Sequence, residues 1–154
     1  MKKLMLIFLF TFGVIGVYSQ TVENNEADVE AIKKVIQTAY VEGLQNEGNF
    51  EKIDSGFHPD FELLGIGENG ELTRYSLEEW KANIRIKLEN GKLPRAANDL
   101  ISIKFLFVDV TGTAAVAKFE FYVGEKLVFI DYQSLYKFAD EWKIVSKTYF
   151  KIEN

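Results

Sequence analysis

The alternation of apolar and polar residues from Leu100 to the C-terminus constrains the fold of this chain more than any other feature. Four runs with a period of two are separated by turn signals at Thr111-Gly112, Gly124-Glu125 and Asp140-Glu141. A period of two places successive side chains on opposite faces of a β-strand. Because the connections are too short to hold crossover helices, the four strands are predicted to form an antiparallel meander.

Apolar residues before the meander recur at steps of three and four, which predicts amphipathic helices. The first helix is expected to begin after Asn25, its candidate N-cap, and to bury Tyr40 on its apolar stripe. A short second helix is expected to end with Phe57, because Pro59 stops it. The segment His58-Pro59-Asp60 is then predicted to be a turn.

Two short strands and a third helix are predicted between the second helix and the meander. The strands run from Phe61 to Ile66 and from Glu71 to Tyr75, and Asn69-Gly70 indicates a two-residue hairpin between them. Ser76 and Glu79 have the spacing of a capping box and open the third helix. Three N-terminal helices packed on a strongly bent antiparallel sheet make an α+β fold.

The N-terminus has the pattern of a cleavable export signal. Two lysines follow Met1, Leu4 to Val17 is almost wholly apolar, and Val17-Tyr18-Ser19 suits a cleavage site. We therefore expect a signal peptide over residues 1–19, a single domain over residues 20–154, and a periplasmic or secreted product. The apolar run is shorter than the roughly 20 residues of a membrane span, so none is expected in the mature form.

Composition excludes several classes of function. Of 18 basic residues, Lys2 and Lys3 lie in the signal, which leaves 16 against 23 acidic residues and a mature net charge of −7. Such a surface repels phosphate backbones, which argues against nucleic acid as a partner. The chain has no cysteine and one histidine, so we expect no disulfide, no metal site and no cofactor. Its 13 Phe, 7 Tyr and 2 Trp suit a large core or an aromatic-lined cavity.

The predicted order of elements is accompanied by five short motifs: Tyr40-Val41-Glu42-Gly43, Phe57-His58-Pro59-Asp60, Ser76-Leu77-Glu78-Glu79-Trp80, Asp131-Tyr132-Gln133-Ser134-Leu135 and Trp142-Lys143-Ile144-Val145-Ser146-Lys147. In these motifs the chain resembles the "putative lumazine-binding" group of the NTF2-like (SnoaL-like) superfamily over nearly all of its mature length. The resemblance implies a cone, with a cavity between the sheet and the helices, and a homodimer paired through the sheet. The superfamily includes ketosteroid isomerase, scytalone dehydratase and polyketide cyclases, so its fold does not fix one function.

Enzymes on this cone perform acid–base chemistry, which requires an ionisable group in an apolar interior. The candidate catalytic residues are Asp131 and His58. Asp131 interrupts an apolar strand, and it is either a general base with a raised pKa or a structural partner of Lys147 or a neighbouring hydroxyl. His58 titrates near neutrality, but its position before Pro59 also suits a side chain bonded to the local backbone.

The candidate ligand contacts are aromatic residues, which can pack against a ligand and in part hydrogen-bond to it: Tyr40, Phe57, Trp80, Phe119 and Tyr132. The same residues also suit a plain core. Strict alternation places Asp131 and Tyr132 on opposite faces, so only one of them can line a cavity unless a bulge intervenes. We expect a protein that binds a small apolar or aromatic molecule; a cofactor-independent isomerase or dehydratase and a non-catalytic interaction protein are the alternatives.

Overall fold

Three helical segments cover one face of a six-stranded sheet. The computed structural model describes the backbone of residues 15–153 and the side chains of residues 25–153, so residues 1–14 of the expected signal peptide lie outside the described residues. The first segment is α1 (Ile15–Val35), which continues without a break into a π-helix (Ile36–Glu47). The other two are α2 (Phe50–Gly56) and α3 (Leu77–Glu89), and a 3₁₀ turn (Ala97–Asp99) precedes the meander.

The strands are β1 (Phe57–Ile66), β2 (Leu72–Ser76), β3 (Ile101–Thr111), β4 (Ala114–Val123), β5 (Lys126–Phe138) and β6 (Glu141–Lys151). They lie in the order β2-β1-β6-β5-β4-β3. The meander of β3 to β6 is antiparallel, as the alternation predicts. Strand β1 pairs with β6 in parallel, so the sheet is mixed rather than wholly antiparallel. The predicted α+β fold of helices on an open, bent sheet is confirmed.

Two glycines allow α2 and the π-helix to pack closely on each other. A Cβ added at Gly56 in α2 would lie 2.3 Å from Cβ of Ala39, and one added at Gly43 would lie 2.8 Å from Cβ of Lys52. No real side chain fits at these distances, so α2 packs directly on the π-helix. The π-helix ends at Gly48, whose φ of 71° is a left-handed conformation that glycine adopts without strain.

Three local predictions need correction. Helix α1 begins at Ile15, so Asn25 lies inside it rather than at its N-cap; no Pro or Gly stands between Ser19 and Asn25 to interrupt the helix. The predicted turn at residues 58–60 is instead the irregular start of β1, where the register with β6 shifts between Phe57 and Glu62. The hairpin between β1 and β2 has a five-residue loop, because the last strand pair is Ile66 with Leu72.

Irregular pairing in the meander changes which side chains face the helices. The register shifts between Phe105 and Phe107 in β3, and Val145 is an extra residue in β6 between Ile144 and Ser146. Such bulges bend a sheet and reverse the alternation beyond them. Strict alternation predicts that Phe107 shares a face with Phe105, but Phe107 lies on the outer face and is 46% exposed.

The core lies between the helices and the inner face of the sheet. Its fully buried residues come from every layer, among them Ile36 and Leu44 from the π-helix, Ile84 from α3, and Phe119 and Ile144 from the sheet. The outer face of the sheet carries exposed aromatic side chains: Phe107, Tyr132, Tyr136, Phe138 and Phe150. Among the described residues, no helix is both long and apolar enough to span a bilayer.

Candidate functional site

A buried ion pair connects two strands on the inner face of the sheet. Asp131 on β5 is fully buried, and Lys147 on β6 is 5% exposed. Asp131 stands directly opposite Tyr149, and Lys147 stands opposite Gln133, so the pair runs diagonally between the strands. Lys147 Nζ lies 2.8 Å from Asp131 Oδ1, although the angles of this contact do not suit a hydrogen bond.

Tyr40 connects this ion pair to the helical layer. Its hydroxyl donates a hydrogen bond to Asp131 Oδ2 at 2.7 Å, and its side chain is almost fully buried. Tyr40 lies in the middle of the π-helix, whose buried residues Ile36, Tyr40 and Leu44 follow one another at steps of four. The two carboxylate oxygens of Asp131 therefore contact two different elements, β6 and the π-helix.

Burial dominates the electrostatics of these three groups. Removal from water raises the pKa of the Asp131 carboxyl, although Lys147 and the Tyr40 hydroxyl both act to lower it. Burial lowers the pKa of the Lys147 ammonium, and the carboxylate of Asp131 opposes that shift. Burial and then the charge of Asp131 raise the pKa of Tyr40 well above its usual value, so the phenol stays protonated and donates.

Aromatic rings surround the ammonium group. Lys147 Nζ lies 4.7 Å from the ring centre of Tyr149, 5.7 Å from that of Tyr40 and 5.9 Å from that of Phe129. At these distances a cation is attracted by the faces of the rings. Asp131, Tyr40 and Lys147 thus form a charged group inside an aromatic environment, which we call the interior site.

Gln133 adds an unpaired amide to the interior site. It lies two residues beyond Asp131 on the same face of β5, between Ala117 on β4 and Lys147 on β6, and it is fully buried. Neither its Oε1 nor its Nε2 has a hydrogen-bond partner among the described residues. Gln133 is not among the residues predicted from the sequence, although the alternation that places Asp131 inward places Gln133 there as well.

Most of the candidate ligand contacts lie together. The ring centre of Tyr40 is 6.2 Å from that of Trp80 and 6.0 Å from that of Phe119. Phe57 is connected to this group through Phe61, whose ring contacts both Phe57 and Trp80.

Tyr132 is separate from the other candidate ligand contacts. It lies on the outer face, is 37% exposed, and has Lys118 Nζ 5.2 Å from its ring centre. Alternation places Asp131 and Tyr132 on opposite faces of β5, and it is Asp131 that faces the interior. The prediction that Tyr132 contacts a ligand together with the interior aromatic residues is therefore wrong.

His58 lies apart from the interior site. Its Nδ1 accepts a hydrogen bond from the backbone N–H of Asp60 at 3.2 Å, and its ring stacks on Phe138 at 4.7 Å. This is the local backbone bond that its position before Pro59 suggested. His58 and Phe57 line a surface cleft of about 570 Å³. Over residues 25–153, no three His, Asp or Glu side chains are grouped to hold a metal ion.

A bent mixed sheet over three helical segments is the architecture of NTF2-like proteins, and solved structures share it. An NTF2-like protein of unknown function from Shewanella baltica superposes with a TM-score of 0.65 at 20% identity, over 84% of this chain and 97% of that one. Another, from Silicibacter pomeroyi, gives a TM-score of 0.65 at 21% identity, over 82% and 98% of the two chains. A protein from Streptomyces avermitilis described as a "putative dehydratase" of the NTF2-like family gives 0.55 at 17%, over 84% and 99%. These likenesses show the fold.

The chain belongs to the family described as "Putative lumazine-binding", whose model matches residues 27–150. This confirms the resemblance that the sequence motifs indicate. No curated protein matches the chain. Membership and fold together support a small-molecule-binding protein of the NTF2-like class.

We predict that the two charges of the interior site are strongly coupled. Lys147→Met should lower the free energy of unfolding by about 3–5 kcal/mol at pH 7, because it leaves the Asp131 carboxylate buried without a counter-charge. The double variant Asp131→Leu/Lys147→Met should lie within about 2 kcal/mol of wild type. Lys143→Met, in the same strand with a less buried lysine, is the control and should cost about 1 kcal/mol or less. Urea unfolding measures all four proteins.

The same series should depend on pH with a definite sign. The pKa of Asp131 is higher in the folded protein than in the unfolded chain. This difference stabilises the folded protein fully below the unfolded pKa of about 3.9, and the stabilisation is lost as pH rises through the folded pKa. Removing Lys147 raises that folded pKa further. The cost of Lys147→Met should therefore be smaller at pH 4 than at pH 7. A cost that is equal at the two pH values, or a double variant as unstable as Lys147→Met, would contradict the coupling.

Proposed function

We propose that this protein is an exported binding protein that holds a small, largely aromatic molecule in the interior of its cone. The observation that carries the proposal is the interior site: a fully buried charge pair, with its ammonium against three aromatic rings and an unpaired amide beside it. Ligand sites in proteins are mostly apolar and contain a few polar groups that fix orientation. The interior site has this composition.

Lys147 is the group best suited to hold a polar atom of a ligand. An ammonium has three N–H donors, and the Nζ that carries them lies 2.8 Å from Asp131 Oδ1. The pair is expensive to bury, since each ion loses its hydration. A ligand carbonyl that accepts from Lys147 would replace part of that lost hydration, while its ring would contact Tyr40, Trp80 and Phe119.

Binding is favoured over acid–base catalysis by the partners of Asp131. A general base needs an oxygen free to accept a substrate proton, but both oxygens of Asp131 contact groups of the protein itself, Lys147 and Tyr40. His58 is bonded to its own strand and lies outside the interior site. The dehydratase description belongs to a Streptomyces avermitilis protein at 17% identity, where the likeness extends to the fold alone.

The family description suggests the first ligand to try. Lumazine is a planar bicyclic heterocycle with ring carbonyl groups. Its ring suits aromatic contacts, and its carbonyl oxygens suit the ammonium of Lys147.

We predict that a ligand of this class raises the melting temperature of the protein. Thermal unfolding should be recorded with lumazine, other aromatic heterocycles and steroids, and the shift should depend on the interior aromatics. Trp80→Ala should abolish at least about 90% of the affinity of any ligand found, because it removes a ring at the interior site. Tyr132→Ala, on the outer face, is the matched control and should bind as wild type. No shift with any compound would overturn the proposed function.

The export part of the proposal is supported by the N-terminal pattern of two lysines, an apolar run and Val17-Tyr18-Ser19. The full-length chain expressed in a Gram-negative bacterium should appear in the periplasm or the medium with Gln20 as its first residue. Intact-mass measurement distinguishes this product from the uncut chain. Replacing Lys2 and Lys3 by Glu should retain the uncut form in the cell, whereas an uncut wild-type chain in the cytoplasm would contradict export.

We also propose that two copies pair through the outer face of the sheet. This face exposes Tyr136 and Phe150, and two of its charges are paired within one chain, since Lys104 Nζ lies 3.4 Å from Glu120. An apolar face with internally paired charges suits a second copy of itself. Tyr136→Lys should shift the sedimentation coefficient from dimer to monomer. Ile66→Lys, at the exposed hairpin tip, is the control, and a wild-type monomer at all concentrations would refute the pairing.

A further inference from the structure

We propose that a surface pocket at the end of α3 binds a phosphate group, carried by a small organic molecule or by a lipid headgroup, through Lys87, Lys92 and Arg95. The pocket shares no lining residue with the interior site. It is thus a second ligand site, independent of the function proposed above.

The pocket has a volume of about 490 Å³ and lies between the last turn of α3 and the segment of residues 91–99; we call it the basic pocket. Leu93 is 6% exposed and anchors this segment in the core. The backbone N–H of Arg95 donates to the carbonyl of Asn46 at 2.8 Å, which ties the segment to the π-helix. Lys92 on the rim is exposed, so a ligand reaches the pocket without any opening of the core.

Three cations and one carboxylate line the basic pocket. Arg95 Nη1 lies 2.8 Å from Asp99 Oδ2, whereas Lys87 and Lys92 form no ion pair with a carboxylate within residues 25–153. Burial lowers the pKa of the Lys87 ammonium, and the charges of Arg95 and Lys92 lower it further. The pocket therefore concentrates two unmatched positive charges in a chain whose formal net charge is −5.

The end of α3 accounts for these lysines only in part. Basic side chains near a helix C-terminus commonly donate to its last carbonyls. Here the backbone N–H of Lys92 donates to the carbonyl of Lys87 at 2.8 Å, and that of Gly91 donates to Leu88 at 3.1 Å. The helix dipole attracts the two ammonium groups weakly, and their repulsion from each other and from the guanidinium opposes that attraction. The lysines are thus not needed as caps.

Arg95 is held in place before any ligand binds. Its Nε donates to the carbonyl of Gln45 at 2.9 Å, and its Nη1 donates to Asp99 at 2.8 Å. Nη2 is the nitrogen left to donate to a ligand. A guanidinium that is already oriented loses little freedom on binding an anion.

A phosphate group matches the basic pocket in charge and in geometry. A phosphate monoester carries a charge of about −1.5 to −2 at pH 7 and three acceptor oxygens, so it can neutralise both unmatched charges and accept from all three cations. A carboxylate has one charge and two oxygens. Leu93 and Pro94 also line the pocket, where they can contact a small organic group attached to the phosphate.

Two probes of similar shape and different charge test this assignment. Methyl phosphate is close to a dianion at about pH 8, and methyl sulfate is a monoanion. Calorimetric titration at low ionic strength should show methyl phosphate binding about tenfold tighter, because it neutralises a second cation. Added sodium chloride should weaken the binding.

Variants of the lysines locate the site. Lys87→Met and Lys92→Met should each weaken the binding of methyl phosphate at least about fivefold. The matched control is Lys126→Met, which removes an exposed lysine at the start of β5 and should bind as wild type. Without ligand, Lys87→Met should melt at the wild-type temperature or above, since it removes a partly buried charge that its neighbours repel. Should that variant fail to fold, Lys92→Met on the exposed rim decides.

Vesicles distinguish the two sources of the phosphate. Phosphatidylcholine vesicles should contain either phosphatidic acid, which has a phosphate monoester, or phosphatidylglycerol, whose phosphodiester carries one charge. Cosedimentation that requires both phosphatidic acid and Lys87 identifies a lipid headgroup. Binding of methyl phosphate without cosedimentation identifies a free organic phosphate. Either result supports the site.

Three results would overturn the proposal. Equal affinity for methyl phosphate and methyl sulfate would show an unselective cationic surface. An equal loss of binding in Lys126→Met would show an effect of net charge alone. Binding of neither methyl phosphate nor the phosphatidic acid vesicles would mean that Lys87 and Lys92 serve only the helix end. The proposed function is unaffected by any of these results, because neither anion has an aromatic ring that would suit the interior site.

Discussion

The ion pair between Asp131 and Lys147 is the interaction on which the arrangement of the interior depends. Each charge has lost its hydration. The pair is therefore favourable only when both strands keep their register and the Tyr40 hydroxyl donates a hydrogen bond to the second carboxylate oxygen of Asp131. A slip of one residue by either strand would turn its own member of the pair to the outer face and separate the two charges. The pair therefore specifies one register for these strands, and through Tyr40 it also specifies where the helical layer lies on the sheet.

The π-helix makes that second connection possible. A π-helix has more residues in each turn than an α-helix, so residues spaced by four lie close to one line along its surface. Ile36, Tyr40 and Leu44 all remain directed at the sheet in this segment. Its close packing on α2 requires Gly56 beside Ala39, which leaves no room for a side chain between the two segments. The hydroxyl of Tyr40 thus reaches Asp131 from a segment that packs closely on α2.

Much of the fold could be predicted from the sequence, because the alternation in the meander and the capping box at Ser76 are local signals that the structure preserves. The bulges at Leu106 and Val145 could not be predicted, since an extra residue changes the face of a strand without changing its composition. The same limit applies to the π-helix, whose spacing of four also suits an α-helix. Asp131 was identified by its charge in an apolar strand, whereas Gln133 becomes significant only in the structure, where it is fully buried and its amide has no hydrogen-bond partner among the described residues.

The charges of Asp131 and Lys147 cancel, so the interior site differs in its electrostatics from an acid–base site with one free carboxylate. A catalytic carboxylate needs an environment that raises its pKa and leaves one oxygen open to substrate. Burial supplies the first condition at Asp131, but Lys147 and Tyr40 occupy the oxygens that the second condition requires. The carboxylate thus fixes the positions of the Lys147 ammonium and the Tyr40 phenol.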